Sequence, residues 1–356
     1  MIKKNHSDAN IRESEDYIPG RNLWGAFAAI YRQKNPDKNL DEDENFYDLF
    51  LSGKVRFGNC YLKNSIPVPL SLYECSSHQH GHFKQDCLVD QPEIWKCQNQ
   101  ENGIICGLPL KPLSGYMGYD NPIDNLKIQN PLTELRMRNH LAYQSFTTGE
   151  GGLFTDMVIS AQNDFKGIIS FQEEKKRKEF IDIFKEELKG GKSLYIGADR
   201  DIYGKIKLRF SQETELFVGK SFEERWKNSS NGKLSFSLTL LSDTIVTDDW
   251  LGTPSRLEPD LLKEWTGLKG ELRLESWFSR IQPIHSFSNV HQMPREEDQA
   301  LSKGSAFLYS YKPSGSEAPN LLHDKLKQLE QDGIGFRLAE GFGQIAINLP
   351  IHWKKP

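Results

Sequence analysis

The positions of the cysteines constrain this chain more than any other feature of its sequence. All of them lie in one window that also holds three histidines: Cys60, Cys75, His78, His80, His82, Cys87, Cys97 and Cys106. In a reducing compartment such a cluster indicates metal ligands before disulfides. Zinc takes four thiolate or imidazole ligands in a tetrahedron, and these spacings are wider than the usual CxxC pairs. The window therefore predicts either a structural zinc site, with Cys75, Cys87, Cys97 and Cys106 as its ligands, or reduced thiols that are simply buried.

The sequence suggests a cytoplasmic protein. The N-terminus has no apolar h-region, and no stretch approaches about 18 apolar residues, so we expect neither a secretory signal nor a membrane span. A catalytic zinc is not expected, because the HExxH and HxE…PCxxC patterns are both missing.

Length and composition are those of an ordinary globular protein. The 356 residues allow two domains, and 37% hydrophobic with 26% charged residues exclude a disordered, collagen-like or coiled-coil chain. The formal net charge of −4 counts against a free-standing binder of bulk nucleic acid. It leaves room for a local basic groove.

The order of the predicted elements indicates the fold class. Residues 1–16 suggest no strand, and Asn22 can cap a helix whose apolar positions begin at Leu23. The clearest helix is predicted over residues 173–189, where Gly190 ends it. Each half of the chain ends in a strand, a helix, a glycine-rich loop and a strand. This order predicts an α+β protein with two ferredoxin-like domains, related to the RNA-recognition fold.

We place the predicted domains at residues 1–226 and 233–356, joined by a polar linker. The first contains the Cys/His insertion, residues 55–118, which would hold the zinc. The second contains a glycine-rich loop, residues 333–343, just before the closing strand.

The glycine-rich loop has two interpretations. Its four glycines could let the main chain approach a phosphate closely while Arg337 adds a positive charge. Alternatively, the glycines only supply the positive φ of a tight turn. The loop is not a dinucleotide-binding fingerprint, because a strand follows it where that motif requires a helix.

Five short segments, in order along the chain, resemble the CRISPR-associated RAMP superfamily. They are residues 17–26 (YIPGRNLWGA), similar to IPGSxLRGA; residues 136–143 with Leu153-Phe154, similar to RxRxAID…GxLF; residues 240–243 (LLSD); Lys303-Gly304-Ser305, similar to AxxxGS; and residues 335–343, similar to GxRxxEGFG. The combination is most similar to the RAMP subunit of type III-D effector complexes, of the type that caps the crRNA 5′ handle.

The resemblance implies a non-catalytic, crRNA-binding structural subunit of a type III ribonucleoprotein complex in antiviral defence. Such a subunit holds the repeat-derived 5′ handle and contacts the large signalling subunit and the backbone RAMP subunits. Carried onto this chain, it implies RNA contacts from three places: Arg21 and Asn22 at the first helix; Arg136, Arg138 and His140 on a strand; and Arg337, Gly341 and Gly343 in the loop. Arginine suits this role because its planar fork can hold a phosphate and also stack on a base.

The chain also departs from the family pattern. The family's first strand should precede Tyr17, where residues 1–16 suggest none. Asn22 and Trp24 stand where the family more often has Ser and Arg, and His140 departs from the usual AID letters.

Other functions stay open from the residues alone. His140 could act as the general base of a metal-independent endoribonuclease that processes precursor crRNA, although a histidine without a partner in sequence is more often structural. A zinc-stabilised scaffold that binds only protein would agree with the acidic net charge. Arg136 and Arg138 lie two apart and so share one strand face, which suits a phosphate track or an ordinary solvated edge strand.

Overall fold

The computed structural model describes residues 11–77, 84–101, 104–118, 123, 126–141, 148–197, 203–211, 220–229, 234–288, 293–315 and 320–353. His78, His80 and His82 lie outside these ranges, as does the side chain of His140. None of the helices in the described ranges is long and apolar enough to cross a membrane.

The helices are α1 (Gly20–Lys34), α2 (Glu44–Phe46), α3 (Glu174–Ile183), α4 (Lys185–Leu188), α5 (Phe222–Ser229), α6 (Pro259–Thr266), α7 (Leu321–Asp332) and α8 (Pro350–Trp353), with a π turn at Tyr47–Leu51 and a 3-10 turn at Leu338–Glu340. The strands are β1 (Ile11–Glu13), β2 (Val55–Phe57), β3 (Tyr61–Leu62), β4 (Ser65–Pro67), β5 (Leu72–Cys75), β6 (Lys84–Asp86), β7 (Gln100–Glu101), β8 (Ile104–Ile105), β9 (Leu110–Pro112), β10 (Tyr116–Gly118), β11 (Ile128–Gln129), β12 (Thr133–Leu141), β13 (Thr148–Ile159), β14 (Phe165–Lys166), β15 (Ile169–Phe171), β16 (Leu194–Tyr195), β17 (Lys205–Ile206), β18 (Ser235–Leu240), β19 (Glu271–Phe278), β20 (Ile281–Ile284), β21 (Phe287–Ser288), β22 (Met293–Pro294), β23 (Asp298–Leu301), β24 (Ala306–Lys312) and β25 (Ile345–Ile347). This mixture confirms the predicted α+β class.

The largest sheet has four antiparallel strands in the order β19-β24-β18-β25. Along the chain its elements run β18, α6, β19, β24, α7 and β25, which is a βαββαβ sequence. The first strand lies between the third and the fourth, which is the ferredoxin-like arrangement. Strands β20 to β23 extend the connection between β19 and β24 as one hairpin, in which β21 pairs with β22 inside the β20–β23 pair.

Local sequence signals explain the two helices of this sheet. Helix α6 begins at Pro259, whose missing N–H is not needed in a first turn, and it stops at Gly267, whose φ of 69° is left-handed. Helix α7 buries Leu322, Leu326 and Leu329 at helical spacing. These leucines pack with buried residues of the four strands in one apolar core.

The N-terminal segments build a different core from aromatic rings. Phe27 of α1 lies 5.8 Å from Phe57 of β2, 5.1 Å from Phe180 of α3 and 4.9 Å from Phe184, measured between ring centroids. In the described part of these segments the sheets have two or three strands each. A second ferredoxin-like domain therefore stays a prediction.

Two elements differ from the sequence-based expectation. A strand, β1, lies inside the first sixteen residues and pairs in parallel with β13, although its own three residues carry no strand pattern. The helix predicted over residues 173–189 is interrupted at Phe184, whose backbone leaves the helical region with φ −106° and ψ 22°. The chain continues as the short helix α4.

The chain divides into two compact units. The first comprises Met1–Lys63, Asn130–Thr214 and Ala339–Gly341, and the second comprises Asn64–Gln129, Glu215–Leu338 and Phe342–Pro356. Most of the predicted zinc-binding insertion thus groups with the C-terminal segments, whereas Val55, Phe57 and Cys60 at its start belong to the N-terminal core. The predicted boundaries at 226 and 233 follow the order of the chain and stay a prediction.

Candidate nucleic-acid interface and metal centre

A row of charged side chains crosses the sheet β1-β13-β12 in the first unit. Asp156 on β13 is the register partner of Arg12 on β1 and of Arg136 on β12. In the next row, Arg138 is paired with Phe154. Because directly paired residues point to the same face of a sheet and side chains two apart on a strand share a face, three guanidinium groups lie on one face around a single aspartate. We call these residues, together with Tyr203, the arginine face.

Asp156 anchors this face. Its side chain is fully buried, and its Oδ2 accepts hydrogen bonds from Arg138 Nη1 at 3.3 Å and from the Tyr203 hydroxyl at 3.2 Å. Burial and the neighbouring Asp156 carboxylate raise the pKa of Tyr203, so its hydroxyl keeps the proton that it donates. Among the described residues the other oxygen, Oδ1, has no hydrogen-bond partner.

Each arginine also lies against an aromatic ring. The guanidinium carbon of Arg12 is 4.1 Å from the centroid of Phe154, and that of Arg138 is 5.5 Å from it. Arg136 lies 5.4 Å from the Tyr203 ring and forms an exposed ion pair with Glu134 at 3.1 Å. Stacking orders the planar guanidinium groups and leaves their N–H groups able to donate hydrogen bonds to a phosphate or a base edge.

The glycine-rich loop holds its arginine differently. Arg337 has a φ of 57°, in the left-handed region that favours glycine. Its Nη1 forms an ion pair with Asp298, its Nη2 donates to Ser286 Oγ at 3.3 Å, and its guanidinium lies 5.0 Å from the Phe342 ring. The charge of Arg337 is therefore compensated within the protein by Asp298.

The loop glycines serve close packing. A Cβ on Gly341 would lie 2.6 Å from the Phe57 carbonyl oxygen, and one on Gly343 would lie 2.0 Å from that of Ile334. Both residues have positive φ, 97° and 71°. The N–H of Gly343 donates to the Asp243 carbonyl at 3.0 Å. These contacts fit the tight-turn reading of the loop, whereas its phosphate-binding reading stays a prediction.

The first helix places its candidate residues in its first turn. Helix α1 begins at Gly20, and its N-cap is Pro19, which offers no side-chain hydrogen bond, so Asn22 is not the cap. Asn22 lies inside the helix because the Pro-Gly turn already sets the helical start, and its N–H donates to the Pro19 carbonyl at 2.9 Å. The Gly20 N–H is taken by Asn59 Oδ1 at 2.8 Å. Arg21 is half-buried in the same turn.

The structure thus unites only some of the predicted RNA contacts. Arg136 and Arg138 share one face, and His140 follows two residues later on β12. The sequence analysis missed Arg12 and Asp156 as members of this face. Arg12 had no local signal, because its place beside Asp156 comes from a parallel pairing of distant segments.

Three of the four predicted metal ligands lie together. The Sγ atoms of Cys75, Cys97 and Cys106 are all within 4.8 Å of one another, and Cys75 Sγ is 3.7 Å from Cys106 Sγ. Zinc with Zn–S bonds of about 2.3 Å in a tetrahedron separates its sulfurs by about 3.8 Å. The cluster is therefore positioned to bind a metal ion, and its soft donors suit zinc.

Backbone hydrogen bonds position these thiols. Cys75 ends β5, and Cys97 and Cys106 flank the β7–β8 hairpin. The Cys97 N–H donates to the Leu108 carbonyl at 2.7 Å, and the Gly107 N–H donates to the Cys97 carbonyl at 3.0 Å. Burial, reinforced by the neighbouring thiols, raises the pKa of Cys97 to about 11. A bound cation would reverse that preference, since metals bind the thiolate.

Cys87 does not join the cluster. It is fully buried after β6, where burial and then the charge of Asp86 raise the pKa of its thiol to about 12. Cys60 is also buried and belongs to the first unit, and burial raises its pKa to about 12 as well. Both behave as small apolar side chains. Among the described residues the ligand group contains three members.

Comparisons with known proteins find similar chains among the solved structures. No family model matches the chain, and no curated protein matches it. It is similar to a chain in the cryo-EM structure of the type III-B Cmr-beta complex bound to cognate target RNA and AMPPnP, with 12% identity, 86% of this chain and 82% of that chain covered, and a TM-score of 0.45. It is also similar to a chain of a Cas6 product complex (14% identity, 53% and 81% covered, TM-score 0.35) and to Thermus thermophilus Cas6 (10% identity, 92% and 90% covered, TM-score 0.30).

Proposed function

We propose that this protein is a non-catalytic RNA-binding subunit of a type III CRISPR ribonucleoprotein complex, most similar to the type III-D kind. In this proposal it holds the repeat-derived 5′ handle of the crRNA beside the large signalling subunit and the backbone subunits. The observation that carries the proposal is the arginine face, where Arg12, Arg136 and Arg138 are gathered by strand register around one buried aspartate. The order of the RAMP-like segments in the sequence supports the choice of RNA.

The chemistry of this face suits a single-stranded RNA. Guanidinium groups donate paired hydrogen bonds to phosphate oxygens, and splayed bases stack on aromatic rings or guanidinium planes. The ion pair of Arg136 with Glu134 is exposed, so a phosphate can replace Glu134 at little cost. Asp156, in contrast, holds Arg138 from below and keeps its fork in place.

The test is equilibrium binding of a short single-stranded RNA that begins with the repeat-derived sequence. Changing Arg12, Arg136 and Arg138 together to Gln should weaken binding by at least about 100-fold, since a hydrogen bond to a charged group contributes about 1.5–3 kcal/mol. The slope of log affinity against log salt should shrink by about 2, because each phosphate contact on a single strand contributes about 0.7.

Two further variants sharpen this test. The double change Arg12→Gln with Arg136→Gln leaves the Arg138–Asp156 pair intact and should still lose at least about tenfold in affinity. The control is Arg273→Gln, an exposed arginine of β19 that is paired with Glu271 and should leave RNA affinity unchanged. Wild-type affinity in the folded triple variant would overturn the proposal.

The non-catalytic part of the proposal is tested on the same RNA in the presence of EDTA. We expect the bound RNA to remain intact over hours. Cleavage that disappears in His140→Ala would instead identify a metal-independent endoribonuclease with His140 as its base.

For the cysteine cluster we propose a structural zinc ion held by Cys75, Cys97 and Cys106. What supports it is the sulfur spacing together with the burial of the cluster. Elemental analysis of purified protein should find about one zinc per chain, and Cys97→Ser should lose it and unfold the surrounding lobe. Cys87→Ala is the matched control and should keep the metal. A stoichiometry near zero in the wild-type protein would remove the zinc.

A further inference from the structure

The two most exposed large apolar side chains among the described residues are neighbours. Trp250 is 91% exposed and Leu251 is 84% exposed. They stand at the tip of a turn that leaves the buried core after Val246 and returns at Thr253, whose hydroxyl contacts the Gln299 carbonyl. Burying a tryptophan side chain removes about 150–250 Å² of surface from water. An exposed tryptophan next to an exposed leucine therefore lacks a large hydrophobic stabilisation.

The turn fixes the backbone of both residues. The Asp248 carboxylate accepts hydrogen bonds from the N–H groups of Trp250 at 2.9 Å and Gly252 at 2.8 Å. The Asp248 N–H donates to the Gly252 carbonyl at 2.9 Å, which closes the turn. Leu251 has a φ of 62°, a left-handed conformation that a bulky residue seldom adopts. The pair is therefore organised before any partner arrives, which lowers the entropy lost on binding.

We infer that Trp250 and Leu251 insert into an apolar pocket of another protein subunit, and that lysines and arginines line the rim of that pocket. The inference rests on the proposed function, because a subunit of a ribonucleoprotein complex must contact other protein chains. Tryptophan is the residue type most enriched among those that dominate protein interfaces, and such residues fill closed apolar pockets.

The acidic residues around this turn favour a protein partner over an RNA. Asp248 and Asp249 precede Trp250 directly, and both are exposed. The neighbouring segment, whose Gln299 carbonyl accepts a hydrogen bond from the Thr253 hydroxyl, carries two more exposed carboxylates, Glu296 and Glu297, beside one exposed arginine, Arg295. These two segments thus hold four exposed carboxylates and one exposed guanidinium group. Phosphates would be repelled here, whereas a basic rim around an apolar pocket is complementary.

The experiment titrates the purified protein, by calorimetry at fixed salt, with each protein subunit encoded beside its gene. We compare wild type with the double variant Trp250→Ser and Leu251→Ser, which changes only exposed side chains and should keep the wild-type melting temperature. For one subunit the double variant should bind at least about 30-fold more weakly. The matched control is Trp277→Ser at another partly exposed tryptophan, which lies 4.7 Å from the Arg256 guanidinium; this change should leave subunit affinity unchanged.

Three results would overturn the inference. If no subunit loses affinity, the pair is not a docking element. If the double variant weakens RNA binding and leaves subunit binding unchanged, the pair contacts RNA. If it abolishes self-association in sedimentation, the occupant is a second copy. Failure of the proposed function would give a different result: the wild-type protein would not bind the RNA, whatever the subunit titrations show.

Discussion

The arginine face and the glycine-rich loop carry the same residue type for opposite purposes. On the arginine face Arg138 donates to the buried Asp156, while Arg136 is paired with the exposed Glu134. In the loop, Arg337 forms an ion pair with Asp298 and also donates to Ser286. Under the proposed function, the first arrangement presents guanidinium groups to an RNA, whereas the second holds a left-handed turn. The contacts of Arg337 show that an arginine in a sequence motif can serve the fold of a loop, so its partners must be known before a ligand is assigned to it.

The largest effect that would test this contrast is on the loop backbone. Gly341→Ala should lower the free energy of unfolding by about 1–3 kcal/mol, because its Cβ would lie 2.6 Å from a carbonyl oxygen at a φ of 97°. Gly25→Ala is the control, since Gly25 lies in helix α1 with nothing within 4 Å of an added Cβ. It should stabilise by about 0.4–1 kcal/mol. Denaturant titration measures both variants. If Gly341→Ala leaves the free energy of unfolding unchanged, close packing does not explain the glycine at this position of the loop.

A smaller effect comes from making the same conservative change in both regions. Arg138→Lys should weaken RNA binding by about tenfold, because an ammonium cannot keep the hydrogen bond to Asp156, the contact with the Phe154 ring and a phosphate contact together. Arg337→Lys should leave RNA affinity unchanged. Filter binding at two salt concentrations reads both variants. Equal losses would mean that the loop arginine also contacts RNA and that the contrast is wrong.

The smallest expected effect concerns the support of the arginine face. Tyr203→Phe removes the hydroxyl that donates to Asp156 Oδ2 at 3.2 Å but keeps the ring beneath Arg136. The free energy of unfolding should fall by about 1 kcal/mol, while RNA affinity should fall less than about threefold. Tyr203→Ala, which also removes the ring, should lose more affinity. If the two variants bind RNA equally, the ring does not order Arg136.

The fold was partly readable in the sequence. The leucine spacing of α7 and the Pro259 and Gly267 ends of α6 are local signals that the sequence itself displays. Apart from β12 and β13, the strands of the N-terminal segments carried no comparable signal, since their two or three residues are too few to establish an alternating pattern. The break at Phe184 was hidden inside a continuous apolar stripe.

For the candidate sites, the sequence by itself determined which residue types are available: clustered thiols, an Arg-x-Arg strand and a glycine-rich loop with one arginine. Only the tertiary structure decided that Cys87 stays apart from the other three thiols, that Arg12 joins Arg136, and that Asp298 claims Arg337. Periodicity, caps and turns depend on neighbours along the chain, so a sequence displays them. Register between strands and pairing of charges depend on segments that are distant in the chain, and their partners are set only when the whole core packs.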